Sequence, residues 1–327
     1  MKTDFDREIN RKGTHSAKWG VIQDRDNPSR WHATEAYFGP DRILPLWVAD
    51  MDFAAPLPVI EALVRRARHG IYGYTIRPQS YDEAVVDWMK RRHGWQIEPG
   101  WILSTPGVVT AVNLIVRTFV KPGQQVLIQR PVYYPFFSAI ENNGGRIVSN
   151  SLVLTNGRYE MDVADFEKKA ADPATRMFVL CSPHNPVGRV WSREELTRIG
   201  ELCLKHQVLV VADEIHADLI YKGVTFTPFA TLGAEMADNT VVCTAPSKTF
   251  NLAGLHTSNI IVANTGLRRR LQHTLTSCGL GKWADPFGTV ACETAYREGE
   301  PWLAQVMAYI EENLEYLDGF IGEHIPN

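Results

Sequence analysis

No apolar run in this sequence of 327 residues approaches the length needed to cross a bilayer. The first residues, Met1-Lys2-Thr3-Asp4-Phe5-Asp6-Arg7-Glu8, are charged and contain no apolar h-region. No secretory signal is expected there, and the cytoplasm is the expected compartment. Cysteine is scarce: Cys181, Cys203, Cys243, Cys278 and Cys292, with no CxxC spacing. An odd, scattered set gives no disulfide framework and suits a reducing compartment. Net charge is small, −3, so there is no broad electrostatic case for nucleic acid or an anionic membrane. The basic run Arg268-Arg269-Arg270 reads as a solvated helix face. Internal repeats, low-complexity segments and HExxH spacing are also missing, which removes solenoids and the commonest zinc hydrolase motif.

What is present describes a globular α/β protein. Hydrophobic residues make up 45% and charged residues 22%, and the length suggests two domains or one large domain with an attached lobe. Residues 1–44 are polar and rich in tryptophan and histidine; an irregular arm with one short helix is expected. An apolar-to-acidic stretch, Leu44 to Phe53, then meets Pro56 and Pro58, which fit a loop entering a helix over 59–69. Residues 80–93 form an amphipathic helix with Tyr81, Val85, Trp88 and Met89 on one face. Ser104 to Val109 opens a long apolar helix ending near Val120. Thereafter strands and helices alternate: strands at Val126–Gln129, Arg176–Cys181, Val208–Ala212, Thr240–Cys243 and Asn259–Ala263, and helices at 136–143 and 193–206, the last with a Ser192/Glu195 capping box. This pattern predicts a mostly parallel sheet covered by helices on both faces, with the site at the carboxyl ends of its strands.

Several side chains at those ends have chemical and bland readings side by side. Lys248, in Ala245-Pro246-Ser247-Lys248-Thr249-Phe250-Asn251, follows a buried strand. A desolvated lysine has a lowered pKa and can form an imine with an aldehyde; a solvated lysine does nothing of the kind. Gly107 at a helix start leaves N–H groups open to an anion, or is part of an ordinary capped turn. Asp50 and Asp52 are an acid pair, or Asp52 caps the next turn. Asp213 is a functional carboxylate or a helix cap. His184, Asp213, Glu214 and His216 lack metal-ligand spacing, so no metal is expected.

Taken together, the series is specific. Asn185-Pro186-Val187-Gly188, Asp213 after an apolar strand, and Ser247-Lys248 about 35 residues later resemble the fold type I pyridoxal-phosphate enzymes of the class I/II aminotransferase superfamily. Trp47-Val48-Ala49-Asp50-Met51-Asp52-Phe53, Gly73-Tyr74-Thr75, Pro183 through Trp191, Asp213 through Asp218 and Ser247 through Asn251 are similar to its cystathionine β-lyase-like branch of C–S lyases. The resemblance runs from Thr3-Asp4-Phe5-Asp6 to the end of the chain.

That resemblance implies pyridoxal 5'-phosphate as cofactor and a role for each matching position. Lys248 would carry the cofactor, Asp213 would pair with its ring nitrogen, and Asn185 would donate to its ring hydroxyl, with His216 nearby. Tyr133 would stack on the ring. Gly107, Val108 and Val109, with Ser247, would hold the phosphate. Tyr74 would reach the phosphate of a partner subunit, which implies a homodimer with shared sites. Ala49 and Asp50 would line the pocket of an amino-acid substrate. The implied activity is β-elimination from cystathionine or a related cysteine S-conjugate. Amino transfer on a small or hydrophobic amino acid, or a non-catalytic regulatory role for the same fold, are the alternatives.

The sequence departs from the wider superfamily in two ways. His256 stands eight residues after Lys248, where many aminotransferases have an arginine, and Ala245 stands three before it in place of serine. The C–S lyase branch commonly lacks that arginine too. The expected large domain spans 45–288. Residues 1–44 and 289–327 are expected to form a smaller α+β domain, incomplete at its C-terminal part. The arginine that grips the substrate α-carboxylate is expected beyond Asn327; Arg77 or His256 are the cations that would have to replace it.

Overall fold

The structure is a computed structural model and describes residues 2–23, 31–33 and 44–325. Its strands are β1 (Val21–Gln23), β2 (Trp31–Ala33), β3 (Ile102–Thr105), β4 (Gln125–Arg130), β5 (Arg146–Ser151), β6 (Val153–Thr155), β7 (Arg158–Glu160), β8 (Thr175–Cys181), β9 (Leu209–Asp213), β10 (Thr240–Thr244) and β11 (Ser258–Ile261). Its helices are α1 (Leu57–Arg68), α2 (Gln79–His93), α3 (Val108–Phe119), α4 (Pro135–Glu141), α5 (Val163–Ala170), α6 (Arg193–Lys205), α7 (Ala234–Asp238), α8 (Pro246–Thr249), α9 (Thr265–Ser277), α10 (Pro286–Glu298) and α11 (Glu300–His324).

Seven strands make the central sheet in the order β3-β11-β10-β9-β8-β4-β5. Only β11 runs against its neighbours, pairing antiparallel with both β10 and β3. The sheet is therefore the mostly parallel one that the alternating pattern predicts. Alternation along each strand sends side chains to two separate cores. Leu127, Phe178, Leu180, Val210, Ala212 and Val242 face α1, α2, α6, α10 and the first half of α11. Val126, Ile128, Val179, Val211, Val241 and Cys243 face α3, α4 and α9. With both faces covered, these strands read as near-continuous apolar runs, which is why they were legible.

The capping box at Ser192 and Glu195 starts α6 as the sequence predicts. The apolar face of α2 is buried: Tyr81, Val85, Trp88 and Met89 each lie inside. Trp88 stacks on Tyr296 of α10 at 5.1 Å and meets Phe250 edge-on at 5.6 Å. Phe250 lies just past α8, so this aromatic cluster fixes the floor of the Lys248 turn.

Residues 1–44 differ from expectation. The described part of the arm contains turns and the β1/β2 antiparallel pair, and no helix. Tertiary contact wins over local propensity here: Lys18 is buried and donates to the Asp50 carbonyl and to Asp52. The expected helix could otherwise fall only on residues 24–30 and 34–43, which lie outside the described residues. Phe5 packs edge-on against Phe53 and Trp302, and Tyr309 donates to Asp6 at 2.7 Å, so the arm joins α11. The apolar residues of α11 divide. Trp302, Leu303 and Val306 are buried, whereas Leu314 and Leu317 are exposed.

Candidate active site

The sheet delivers its polar side chains to one edge. Parallel strands β3, β4, β8, β9 and β10 all end there, and Gly107, Tyr133, Asn185, Asp213 and Lys248 lie at or just beyond those ends. Asp213 is the last residue of β9; its Cα register pairs it with Cys181 of β8 and Cys243 of β10, so it sits mid-sheet. It does not cap a helix. Its Oδ1 accepts from the Ile215 N–H at 3.2 Å within a tight turn.

Burial dominates the electrostatics. Asp213 is 4% exposed, and desolvation pushes its carboxyl up to about 7, against the lowering effects of the Ile215 N–H and the Lys248 charge. No ion pair reaches it among the described residues. Desolvation likewise pushes Glu214 up to about 8; its Oε1 accepts from Phe229 N at 2.7 Å. Lys248 is half-buried, and desolvation lowers its pKa while Asp50 and Asp213 oppose the shift. Its Nζ donates to the Ala49 carbonyl at 2.8 Å. His216 is pushed down to about 4 by burial and by Lys248, so it is neutral at neutral pH.

At the start of α3, Gly107 has φ 95° and ψ 155°, and no side chain caps the helix. A side chain at that φ is strained, so glycine suits the position. The Ala111 N–H is the one that bonds back to the Gly107 carbonyl, which leaves the Val108 and Val109 N–H groups at the open helix end. Thr105 and Ser258 hydroxyls meet at 2.7 Å just behind this turn and fix it to β11. Tyr133, between β4 and α4, is half-buried and meets Phe136 edge-on at 5.7 Å; burial first, then Tyr134 and Asp213, raises its phenol pKa. The loop after β8 is pinned by His184, whose Nε2 donates to the Pro131 carbonyl at 2.8 Å, and by the Asn185 N–H, which donates to Cys181 Sγ at 3.3 Å. His184 thus joins the asparagine loop to the tyrosine loop. No group of three or more His, Cys, Asp or Glu among the described residues is arranged to hold a metal ion. Beside Asn185 and His216 a groove of about 630 Å³ opens, lined further by Leu219, Tyr221, Met307 and Ile310.

One sequence reading changes at the loop over Lys248. Asp52 is not a helix cap: the N-cap of α1 is Pro56, with no side-chain cap. Asp52 instead accepts from Lys18 at 2.5 Å, Trp19 Nε1 at 2.7 Å and Arg11 at 2.9 Å. Arg11 also pairs with Asp50 at 2.9 Å. These cations hold the acid pair, and neither could be found from sequence because both lie more than thirty residues upstream in the polar arm. Asn251 was visible only as part of a motif; it bonds to the backbone of Met51 and Phe53. Tyr74 is 86% exposed and stacks on Trp283 at 4.8 Å, so it belongs to the outer surface of this chain. Ser247 lies half-buried in the same turn as Lys248. Arg77 is committed to Asp82 at 2.8 Å and to the Ile102 carbonyl at 2.8 Å, which leaves it poorly placed to take a substrate carboxylate.

A lysine, a buried aspartate and an uncapped helix start gathered at the carboxyl ends of a mostly parallel sheet belong to a recognised class. The chain is a member of the family Aminotransferase class I and II, which it matches over residues 42–317. Among individual proteins, it is 46% identical to cystathionine beta-lyase PatB of Bacillus subtilis, over 98% of this chain and 80% of that protein. Its fold is similar to that of cystalysin from Treponema denticola, a structure containing a pyridoxal 5'-phosphate cofactor, with a TM-score of 0.91 and 39% identity over all of this chain and 80% of the other. It is also similar to the pyridoxal-phosphate-bound C–S lyase from Staphylococcus hominis, with a TM-score of 0.89 and 31% identity, covering 100% and 79% of the two chains. No helix among the described residues is long and apolar enough to cross a membrane.

Proposed function

We infer that this chain is a pyridoxal-phosphate-dependent carbon–sulfur β-lyase acting on cystathionine or a related cysteine S-conjugate. The observation that carries this reading is the 46% identity with a cystathionine β-lyase over nearly the whole chain, with Lys248 and Asp213 at the centre of the site. The residues fit the cofactor. Asp213 is a buried carboxylate without an ion-pair partner among the described residues, and a cationic ring nitrogen would supply one. The uncapped start of α3 suits a phosphate.

When bound, pyridoxal phosphate supplies an electron sink for charge developing at the substrate Cα. The chain's own residues do the rest. Asp213 would pair with the ring nitrogen and keep it protonated. Asn185 would donate to the ring hydroxyl, with neutral His216 nearby, and Tyr133 would pack on the ring. The Val108 and Val109 N–H groups, with Gly107 and Ser247, would hold the phosphate. Lys248 would anchor the cofactor and, with its lowered pKa, serve as the base toward the substrate Cα proton. Ala49 and Asp50 would border the substrate. The overall balance is cystathionine plus water giving homocysteine, pyruvate and ammonia.

In this reading Tyr74 would reach the phosphate of a second subunit in a homodimer with shared sites, and its exposure on this chain supports that role. The contacts of Phe5 and Tyr309 support a small domain formed by residues 1–44 and 289–327 beside a large domain of 45–288. The function is tested by incubating the protein with L-cystathionine and coupling product to lactate dehydrogenase. Sustained NADH oxidation supports the lyase reading, and its absence with active cofactor bound removes it.

A further inference from the structure

The geometry points to Asn251 as a positioning residue that sets Lys248 against the substrate loop. Asn251 lies three residues after Lys248 with φ 58°, a left-handed conformation that asparagine tolerates better than most residues. Its carboxamide meets both backbone polar atoms of Met51, as a neighbouring strand would. Oδ1 accepts from Met51 N at 3.0 Å, and Nδ2 donates to Met51 O and to Phe53 O, each at 2.9 Å. Three of the four hydrogen bonds a carboxamide can make are therefore spent on one loop.

That loop is irregular and has no ladder of its own. Two residues upstream of Met51, the Ala49 carbonyl accepts from Lys248 Nζ. Below the loop, the Lys248 turn is rigid: Leu252 N bonds to Ser247 O at 3.0 Å, Phe250 is buried, and the Thr249 hydroxyl donates to buried Asp218 at 2.8 Å. Asn251 links the rigid turn to the irregular loop. Without it the loop keeps its ties to Arg11 and Lys18 of the arm, but it loses three hydrogen bonds to the turn and keeps the one from Lys248, a side chain with four rotatable bonds. The lysine would then sample positions away from the Cα proton it must take, and small misplacements of a reacting group slow chemistry strongly.

The inference rests on the reading of Lys248 as base, so its test includes a measurement that does not depend on the reaction. Asn251→Gly and Asn251→Ala proteins are compared with wild type and with Asn156→Gly, a turn substitution in the β6/β7 hairpin at another residue with positive φ. The glycine variant keeps the left-handed backbone unstrained and so keeps the fold. Labelling of Lys248 by acetic anhydride is followed against pH before cofactor loading. The charges facing its amine are Asp50 and Asp213, with neutral His216 beside it. Release of the loop solvates the amine, so the labelling midpoint should rise toward the ordinary lysine range in both Asn251 variants and not in Asn156→Gly. After loading, kcat should fall roughly 10- to 100-fold with little change in KM. A lowered melting temperature with an unmoved midpoint and unchanged kcat would make Asn251 a purely structural residue and overturn the assignment. A moved midpoint in a protein that cleaves no cystathionine would uphold the contact and reject the lyase reading instead.

Discussion

Lys248 Nζ donates to the carbonyl oxygen of Ala49 at 2.8 Å, across 199 positions of sequence. The contact joins the lysine that follows β10 to the loop that precedes α1. It also explains why the lysine is half-buried, and hence why its pKa is lowered: the loop excludes water from one side of the amine.

Replacing Asp213 by asparagine keeps the shape of the group and removes its charge. The protein should fold and still take up cofactor, which borohydride should fix to the peptide containing Lys248. Turnover should drop by roughly 10²–10³-fold, the scale of losing one preorganised electrostatic partner. Near-normal turnover in D213N would reduce Asp213 to a local turn residue.

The cofactor-free protein should lose stability as pH rises from 6.5 to 8. Asp213 titrates near its ordinary value when unfolded but is held at about 7 in the fold, and Glu214 at about 8. Between those values the folded state holds protons that the unfolded state has released, so raising pH favours unfolding. His216 has the opposite sign, but its window runs from about 4 to its unfolded value and closes before pH 7. Thermal melts should therefore shift down by several degrees across this range in wild type, and less in D213N. Equal slopes in the two proteins would show that Asp213 is not desolvated.

Sites shared between subunits should complement. Mixing Lys248→Ala protein with Tyr74→Phe protein under exchange conditions should give more activity than the sum of the two alone. In the hybrid, one site combines an intact Lys248 with an intact Tyr74. Strict additivity, or full activity in a monomer at high dilution, would remove Tyr74 from the site.

A packing prediction concerns Gly288 at the start of α10. A Cβ there would lie 2.7 Å from the Leu255 carbonyl oxygen and collide with the Thr257 hydroxyl. Gly288→Ala should destabilise by about 1–3 kcal/mol in urea unfolding. Gly319→Ala, in α11 with open space around it, should instead stabilise by about 0.5–1 kcal/mol. Equal midpoints for the two variants would mean that the 255–257 segment yields freely.

The strands β8, β9 and β10 could be read directly because both faces are buried and their residues are apolar throughout. Strand direction could not: Ser258–Ile261 is as fully buried as its neighbour β10, and composition does not encode that it runs antiparallel. β3 was hidden: two of its four residues, Ser104 and Thr105, were absorbed into the expected start of α3. The site was legible where the residue type itself carries the chemistry, as for Lys248 and Asp213. It was illegible where function depends on a distant partner. Arg11, Lys18 and the Asn251 contacts act through groups more than thirty positions away, and neither periodicity nor local propensity reports such pairs.

The central claim is the reaction, and product analysis with L-cystathionine tests it most directly. The account predicts homocysteine, pyruvate and ammonia in equal amounts over many turnovers, with no keto-acid acceptor required and all three lost in Lys248→Ala. Amino transfer that depends on an added keto acid, with no thiol released, would contradict it.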